Sequence, residues 1–123
     1  MKKTVAIIGA SQDRSKYGNK AVRAYISQGW EVFPVNPNEK EIEGLKVVSS
    51  ILDIRRNIDR VSLYVPSSVG INLIEDIAKK IPKEVFLNPG TESEKLIIKA
   101  KKLGISPILA CSIVDINEHP ELL

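Results

Sequence analysis

The chain contains one cysteine and one histidine in 123 residues, Cys111 and His119. A single cysteine excludes an internal disulfide and fits a reducing compartment. One Cys and one His cannot supply the tetrahedral ligand set of a structural zinc site, so no metal is expected. Aromatic residues are scarce: one Trp, three Tyr and two Phe. A nucleic-acid surface wants a basic stripe interleaved with aromatics, so no nucleic-acid partner is expected either. No apolar run approaches the roughly 18 residues of a membrane helix, and Met1-Lys2-Lys3 leads directly into a strand pattern. A cytoplasmic protein with no membrane partner is the expectation. Repeats, low-complexity segments and linkers are lacking too, so residues 1–123 read as a single domain with a sizeable core.

What is present is organised around Thr4–Gly18. Val5-Ala6-Ile7-Ile8 is a continuous apolar run, as in a strand buried on both faces of a parallel sheet. Gly9-Ala10-Ser11 breaks it with small residues, and a loop leads to Asn19, the expected N-cap of a helix over Lys20–Gln28. A strand, a small-residue turn and a helix N-terminus form a site for phosphate or pyrophosphate. An ordinary tight turn, with Gly9 there only for positive φ, is the competing reading. Charge supports the anion site. Asp13, Arg14, Lys16, Lys20 and Arg23 together carry +3, equal to the formal charge of the whole chain. Arg14 and Lys16 are therefore expected to contact phosphate.

Further strands are expected over Trp30–Val35, Leu45–Val48, Arg60–Val65, Glu84–Leu87 and Ser106–Ala110, with Pro34 hinting at a bulge in the second. Ser49 or Ser50 suits the cap of a single turn, and Ser67 or Ser68 that of a helix ended by Pro82. Thr91-Glu92-Ser93-Glu94 reads as a capping box with Thr91 as N-cap. Gly29 and Gly104 suit helix C-termini. Ile113, Val114 and Ile116 are expected to pack at a sheet edge or against another subunit, a homodimer or another protein. The alternation implies βαβ units: an α/β, Rossmann-like three-layer fold with a mostly parallel sheet of about five strands.

Ligands of such folds lie beyond the carboxyl ends of the strands. Those ends are Gly9-Ala10-Ser11, Asn36-Pro37, Pro66-Ser67-Ser68, Asn88-Pro89-Gly90 and Cys111-Ser112. A rim without Asp, Glu or His suits binding rather than catalysis, so no catalytic residue is assigned. The dinucleotide fingerprint G-x-G-x-x-G is missing, with Ser11 at its second glycine and Arg14 at its third, which implies relaxed helix–strand packing. Nor does an acid end the second strand. Its neutral end, with Lys40 downstream, suits a ribose bearing a phosphate, as in NADP or coenzyme A. An NAD(P)-binding oxidoreductase-type domain is the alternative class.

Between these a family resemblance decides. V-A-I-I-G-A-S (5–11), Lys16-Tyr17-Gly18, G-W-E-V-F-P-V-N-P (29–37) and I-x-G-L-K-V (42–47) occur in order. Y-V-P (64–66), N-P-G (88–90) with Glu92, and A-C (110–111) follow. The chain resembles the small stand-alone CoA-binding proteins, similar in fold to the CoA-binding domain of the succinyl-CoA synthetase α subunit. The resemblance implies that the phospho-ADP part of coenzyme A or an acyl-CoA crosses the strand ends. It implicates Gly9, Ala10, Ser11, Lys16, Tyr17, Gly18, Asn36, Pro37, Val65 and Pro66, with Asn88 and Gly90. Asn88 stands where glutamine is more usual, and the synthetase's phosphorylated histidine belongs to a domain this sequence lacks. A non-enzymatic carrier, sensor or regulatory protein is therefore expected. Cys111 is read as a small buried hydrophobe, against a thiol that could pair with that of CoA; His119 is read as solvated.

Overall fold

A computed structural model describes residues 2–123. Strands β1 (Thr4–Ile8), β2 (Glu31–Val35), β3 (Glu41–Ile42), β4 (Leu45–Lys46), β5 (Arg60–Leu63) and β6 (Glu84–Leu87) are joined by helices α1 (Tyr17–Ser27), α2 (Ser67–Lys79), α3 (Glu94–Lys102) and α4 (Ser112–Asp115). The main sheet is parallel, with order β2-β1-β5-β6. All of β1 is buried because helices cover both faces. Alternate residues serve the two cores. Ala6 and Ile8 join Leu63, Ile74, Ile77 and Leu96 under α2 and α3. Val5 and Ile7 join Val22, Tyr25 and Ile113 under α1 and α4. Each Val, Leu or Ile side chain among them contributes about 1.5–3 kcal/mol on burial. This is the expected three-layer Rossmann-like architecture.

Local signals were overridden where tertiary contacts competed. The expected last strand, Ser106–Ala110, contracts to one parallel bridge, Ile108 to Phe86, beside Pro107, which has no N–H to donate. Pro34 makes no bulge: β1 and β2 stay in register from Thr4–Glu31 to Ile8–Val35. Glu31 N–H donates to Lys3 and Val35 accepts from Gly9 N–H, so the intervening Pro34 faces away from β1, where its carbonyl accepts from Val48 N–H. The expected strand over Leu45–Val48 shortens to β4, which pairs with β3 in a hairpin the sequence reading missed, turned by Glu43 (φ 50°) and Gly44 (φ 79°). Two positive φ values in succession match the twist of a tight hairpin. Ile113 and Ile116 pack into this chain's own α1 core, while Val114 stays exposed.

Three expected caps move. Asn19 lies inside α1, fully buried, donating to the Ser11 carbonyl (2.9 Å) and Glu43 (3.1 Å) and accepting from Arg23 Nε (2.7 Å). Thr91 is drawn onto β5, its hydroxyl donating to the Leu63 carbonyl, so Ser93 caps α3 by accepting from Leu96 N–H. Neither Ser67 nor Ser68 caps α2, whose N-cap is Pro66. The Ser50 cap holds, accepting from Leu52 N–H at the turn Ile51–Asp53.

Asp59 fastens the start of β1 to β5. Its Oδ2 accepts from Thr4 N–H (2.8 Å) and lies 3.3 Å from Thr4 Oγ1, and Lys83 stands 3.2 Å from Oδ1. The Thr4 amide, more than Lys83, holds this carboxyl below its ordinary value of 3.8. A depressed folded-state pKa stabilises above the unfolded value and is lost as pH falls through the folded one. Asp59→Asn is expected to melt below the parent at pH 7, with the gap closing below about pH 4. A gap that stays constant in melts from pH 7 to 3 contradicts this role.

Candidate functional site

The chain leaves β1 in one direction for β2 and in the other for β5, so the sheet order reverses at the carboxyl end of β1. That reversal opens a crevice in open α/β sheets. Gly9 sits on its crest at φ 86°, and a Cβ there would lie 2.5 Å from the Tyr64 carbonyl oxygen. Gly18, in the first turn of α1, presses backbone against backbone: its Cβ would fall 2.2 Å from the Gly9 carbonyl oxygen. The tight helix–strand packing of the dinucleotide fingerprint is thus present but supplied by Gly18. The relaxed packing expected from Arg14 at the third glycine position is overturned, because the longer loop delays α1 and carries its packing glycine with it.

Two cavities flank the crest and share Gly9 and Val65 as a dividing ridge. The larger, about 570 Å³, also takes in Lys16, Tyr17, Gly18, Pro66, Asn88 and Gly90 among the expected residues. The smaller, about 450 Å³, takes in Asn36 and Pro37. Neither α1, whose N-cap is Lys16, nor α2, whose N-cap is Pro66, has a side-chain cap. Both helices therefore begin at the larger cavity with their first N–H groups uncapped by side chains, while α3, away from it, is capped by Ser93. Uncapped N–H groups and converging helix dipoles favour an anion.

Three expected residues are off the walls. Ala10 is buried, its carbonyl accepting from Asn36 Nδ2 at 2.8 Å. Ser11 Oγ accepts from Asp13 N–H (3.0 Å), closing the loop on itself. Arg14 is exposed and stands 3.7 Å from Glu43. The loop's positive charge is answered locally, since Glu39 accepts from Gln12 N–H and Glu43 from Asn19. Lys16 is the charged residue on the wall of the larger cavity. Lys40 is exposed and lies on neither wall.

The side chain of Asn88 is turned inward, as part of the cavity's support. Its Nδ2 donates to Ser62 Oγ (2.8 Å) and the Leu63 carbonyl (2.7 Å), and its Oδ1 accepts from Ser112 N–H (2.9 Å). Ser62 and Ser112 hydroxyls are 2.6 Å apart, and Tyr64 OH lies 3.2 Å from Ser112 Oγ. Burial pushes the Tyr64 phenol well above its usual range. Sequence reasoning missed Tyr64, Thr91 and Pro120 on the larger wall. Tyr64 is signalled only by its place before Val65-Pro66, and Pro120 by nothing local. Cys111 is half-buried and reaches that wall. Lys20 Nζ donates to the Pro120 carbonyl (3.0 Å) and lies 5.3 Å from the Tyr17 ring centroid, bracing two wall residues from opposite ends of the chain.

Fold and site together define a Rossmann-like α/β nucleotide-binding type of domain, with its crevice at the strand-order reversal. The chain belongs to the CoA binding domain family, whose model matches residues 3–117. It is 31% identical to the α subunit of ADP-forming acetate–CoA ligase II of Pyrococcus furiosus, over 96% of this chain and 28% of that one. A conserved hypothetical protein from Pyrococcus furiosus superposes with a TM-score of 0.84 at 34% identity, covering 94% of this chain and 99% of that one. A dinucleotide-forming acetyl-coenzyme A synthetase of Ca. Korarchaeum cryptofilum, in complex with phosphate and ADP, superposes with a TM-score of 0.77 at 29% identity, covering 88% and 25%. The chain thus spans about a quarter of these ligases. The resemblance read from the sequence motifs is correct. Among the described residues, no helix is long and apolar enough to cross a membrane.

Proposed function

We propose that this protein binds coenzyme A or an acyl-CoA across the Gly9–Val65 ridge, as a carrier, sensor or regulatory protein rather than a catalyst. The observation that carries the reading is the meeting of two helix N-termini without side-chain caps at a crest divided into two cavities. The pyrophosphate would lie over the crest, near Lys16 and the α1 amides. The nucleoside would occupy the smaller cavity, on the β2 side where Rossmann folds hold it. The pantetheine arm would run past Val65, Pro66 and Pro89 toward Cys111.

Calorimetric titration with CoA, NADP and NAD tests this, the expected result being binding of CoA in preference to both dinucleotides. Tight NAD binding without a CoA response overturns it. Lys16→Ala is expected to weaken CoA about tenfold or more, the loss of one charge-assisted hydrogen bond worth roughly 1.5–3 kcal/mol. Arg14→Ala should stay within about twofold, because this side chain pairs with Glu43 outside the walls. Equal losses at both positions would mean that the loop reorganises around the ligand. The non-catalytic part has its own assay: acetyl-CoA, ADP and phosphate incubated with the protein should yield no ATP. ATP formation sinks it.

A further inference from the structure

The smaller cavity has an unexpected electrostatic character for a CoA site. Ile8, Val35 and Leu73 make an apolar wall on which a flat base can lie, and Asn36, Asn38, Ser49, Ser50 and Asp76 make its polar edge. Among the described residues, Asp76 is the charged residue on that wall. Lys79 approaches Asp76 Oδ1 only to 3.7 Å, with its own side chain 67% exposed. So loose and wet a pair leaves the carboxylate's charge largely uncompensated. Its neighbourhood adds more negative charge, since Ser49 Oγ, on the same wall, donates to Asp53 Oδ2 (3.2 Å).

The nearby cations are committed or displaced. Lys80 Nζ donates to the Ile54 (2.6 Å) and Arg56 (3.1 Å) carbonyls. Arg14 faces Glu43, and Lys40 is exposed off the wall. A carboxylate edge accepts hydrogen bonds from free ribose hydroxyls, the part an acid plays at the end of the second strand in many Rossmann folds. Here α2 supplies the acid instead. A ribose phosphate in the same place would set a dianion beside Asp76 with no matching cation on the wall.

We infer that the smaller cavity recognises ribose hydroxyls and disfavours a ribose phosphate, so that dephospho-CoA, an ADP-pantetheine, is bound at least as tightly as CoA. This rests on the CoA reading above and reverses the expectation, drawn from the neutral end of β2 and Lys40, that the site suits a ribose bearing a phosphate.

The test is titration of the folded parent with CoA and dephospho-CoA side by side, repeated with Asp76→Asn and Lys40→Ala after cooperative melts are verified for each. The parent is expected to bind dephospho-CoA with an equal or lower Kd. Asp76→Asn should strengthen CoA severalfold and leave dephospho-CoA no tighter, while Lys40→Ala should change neither by more than about twofold, as for an uninvolved surface cation. CoA bound tenfold more tightly than dephospho-CoA by the parent overturns the inference while leaving the CoA reading intact. If Lys40→Ala then removes that advantage, the phosphate is held from the loop after β2. Binding of neither ligand overturns the CoA reading itself, and the inference with it.

Discussion

Gly18→Ala is expected to destabilise the protein by about 3 kcal/mol or more, the upper range for overpacking against rigid neighbours. Helix propensity alone argues the opposite: alanine inside a helix is favoured over glycine by about 1 kcal/mol. The decisive quantity is the 2.2 Å between a Cβ at position 18 and the Gly9 carbonyl oxygen, with Gly9 C at 3.1 Å and Ala10 Cα at 3.2 Å. All three are backbone atoms, so no side chain can swing aside. Relief requires α1 to retreat from the crest, which separates Tyr25 and Val22 from the sheet and moves Lys16 and Tyr17 off the cavity. A fall in Tm of about 10 °C or more is the corresponding readout. Gly29→Ala is the control: it has open space but φ 83°, so the cost there is only the 1–2 kcal/mol of a left-handed conformation. A Gly18→Ala variant melting at or above the parent contradicts the close packing of helix and strand.

Arg60→Met should cost about 2–3 kcal/mol and loosen the C-terminal helix. Arg60 is 6% exposed, its guanidinium 4.4 Å from the Phe86 ring centroid and 5.1 Å from that of Trp30. Its Nε and Nη2 donate to Glu84 Oε1 (3.1 and 3.0 Å), and its Nη1 reaches Asp115 Oδ2 (2.9 Å) and Tyr25 OH (3.3 Å). Burial disfavours its charge, but Tyr25 and Glu84 more than offset this and raise its pKa. Removing one member of a buried pair costs about 3–5 kcal/mol, less here because Glu84 and Asp115 are partly exposed and can rehydrate. Methionine keeps much of the apolar stem, which separates loss of charge from loss of volume. Faster amide exchange confined to residues 112–117 is the second readout, since Asp115 ties α4 to the sheet. Unchanged exchange there, with Tm within 2 °C of the parent (about 0.5 kcal/mol for this size), contradicts the anchoring.

Some of the site was legible because it rests on neighbours in sequence. An apolar run ended by Gly9-Ala10-Ser11 implies a buried strand and a tight crest at any location in a parallel sheet. Lys16 and Tyr17 could be placed because they lie at the start of a helix that must begin at that crest. The caps were less legible for a definite reason. Thr91 and Ser93 are both good capping residues three positions before a suitable N–H, and the Leu63 carbonyl on a distant strand takes Thr91 out of the competition. Asn88 looked like a rim amide with free donors, but Ser62 and Ser112, from distant segments, consume them.

The order of the four main-sheet strands and of the three longer helices, the lack of an internal disulfide, the family and the location of the crest follow from the sequence by itself, since periodicity and turn chemistry are local. Three things were decided only in the tertiary structure. Gly18 acquires its packing role from the approach of a loop-delayed helix to Gly9. Arg60 becomes a buried anchor only when Asp115, 55 positions away, folds back on it. Asp76, one polar residue on an amphipathic helix, becomes the charged edge of a cavity because α2 packs beside the Ile51–Asp53 turn and the end of β2 lines the same cavity. Each depends on which distant groups share a small volume, and that is set by the sum of the packing rather than by any short stretch of chain.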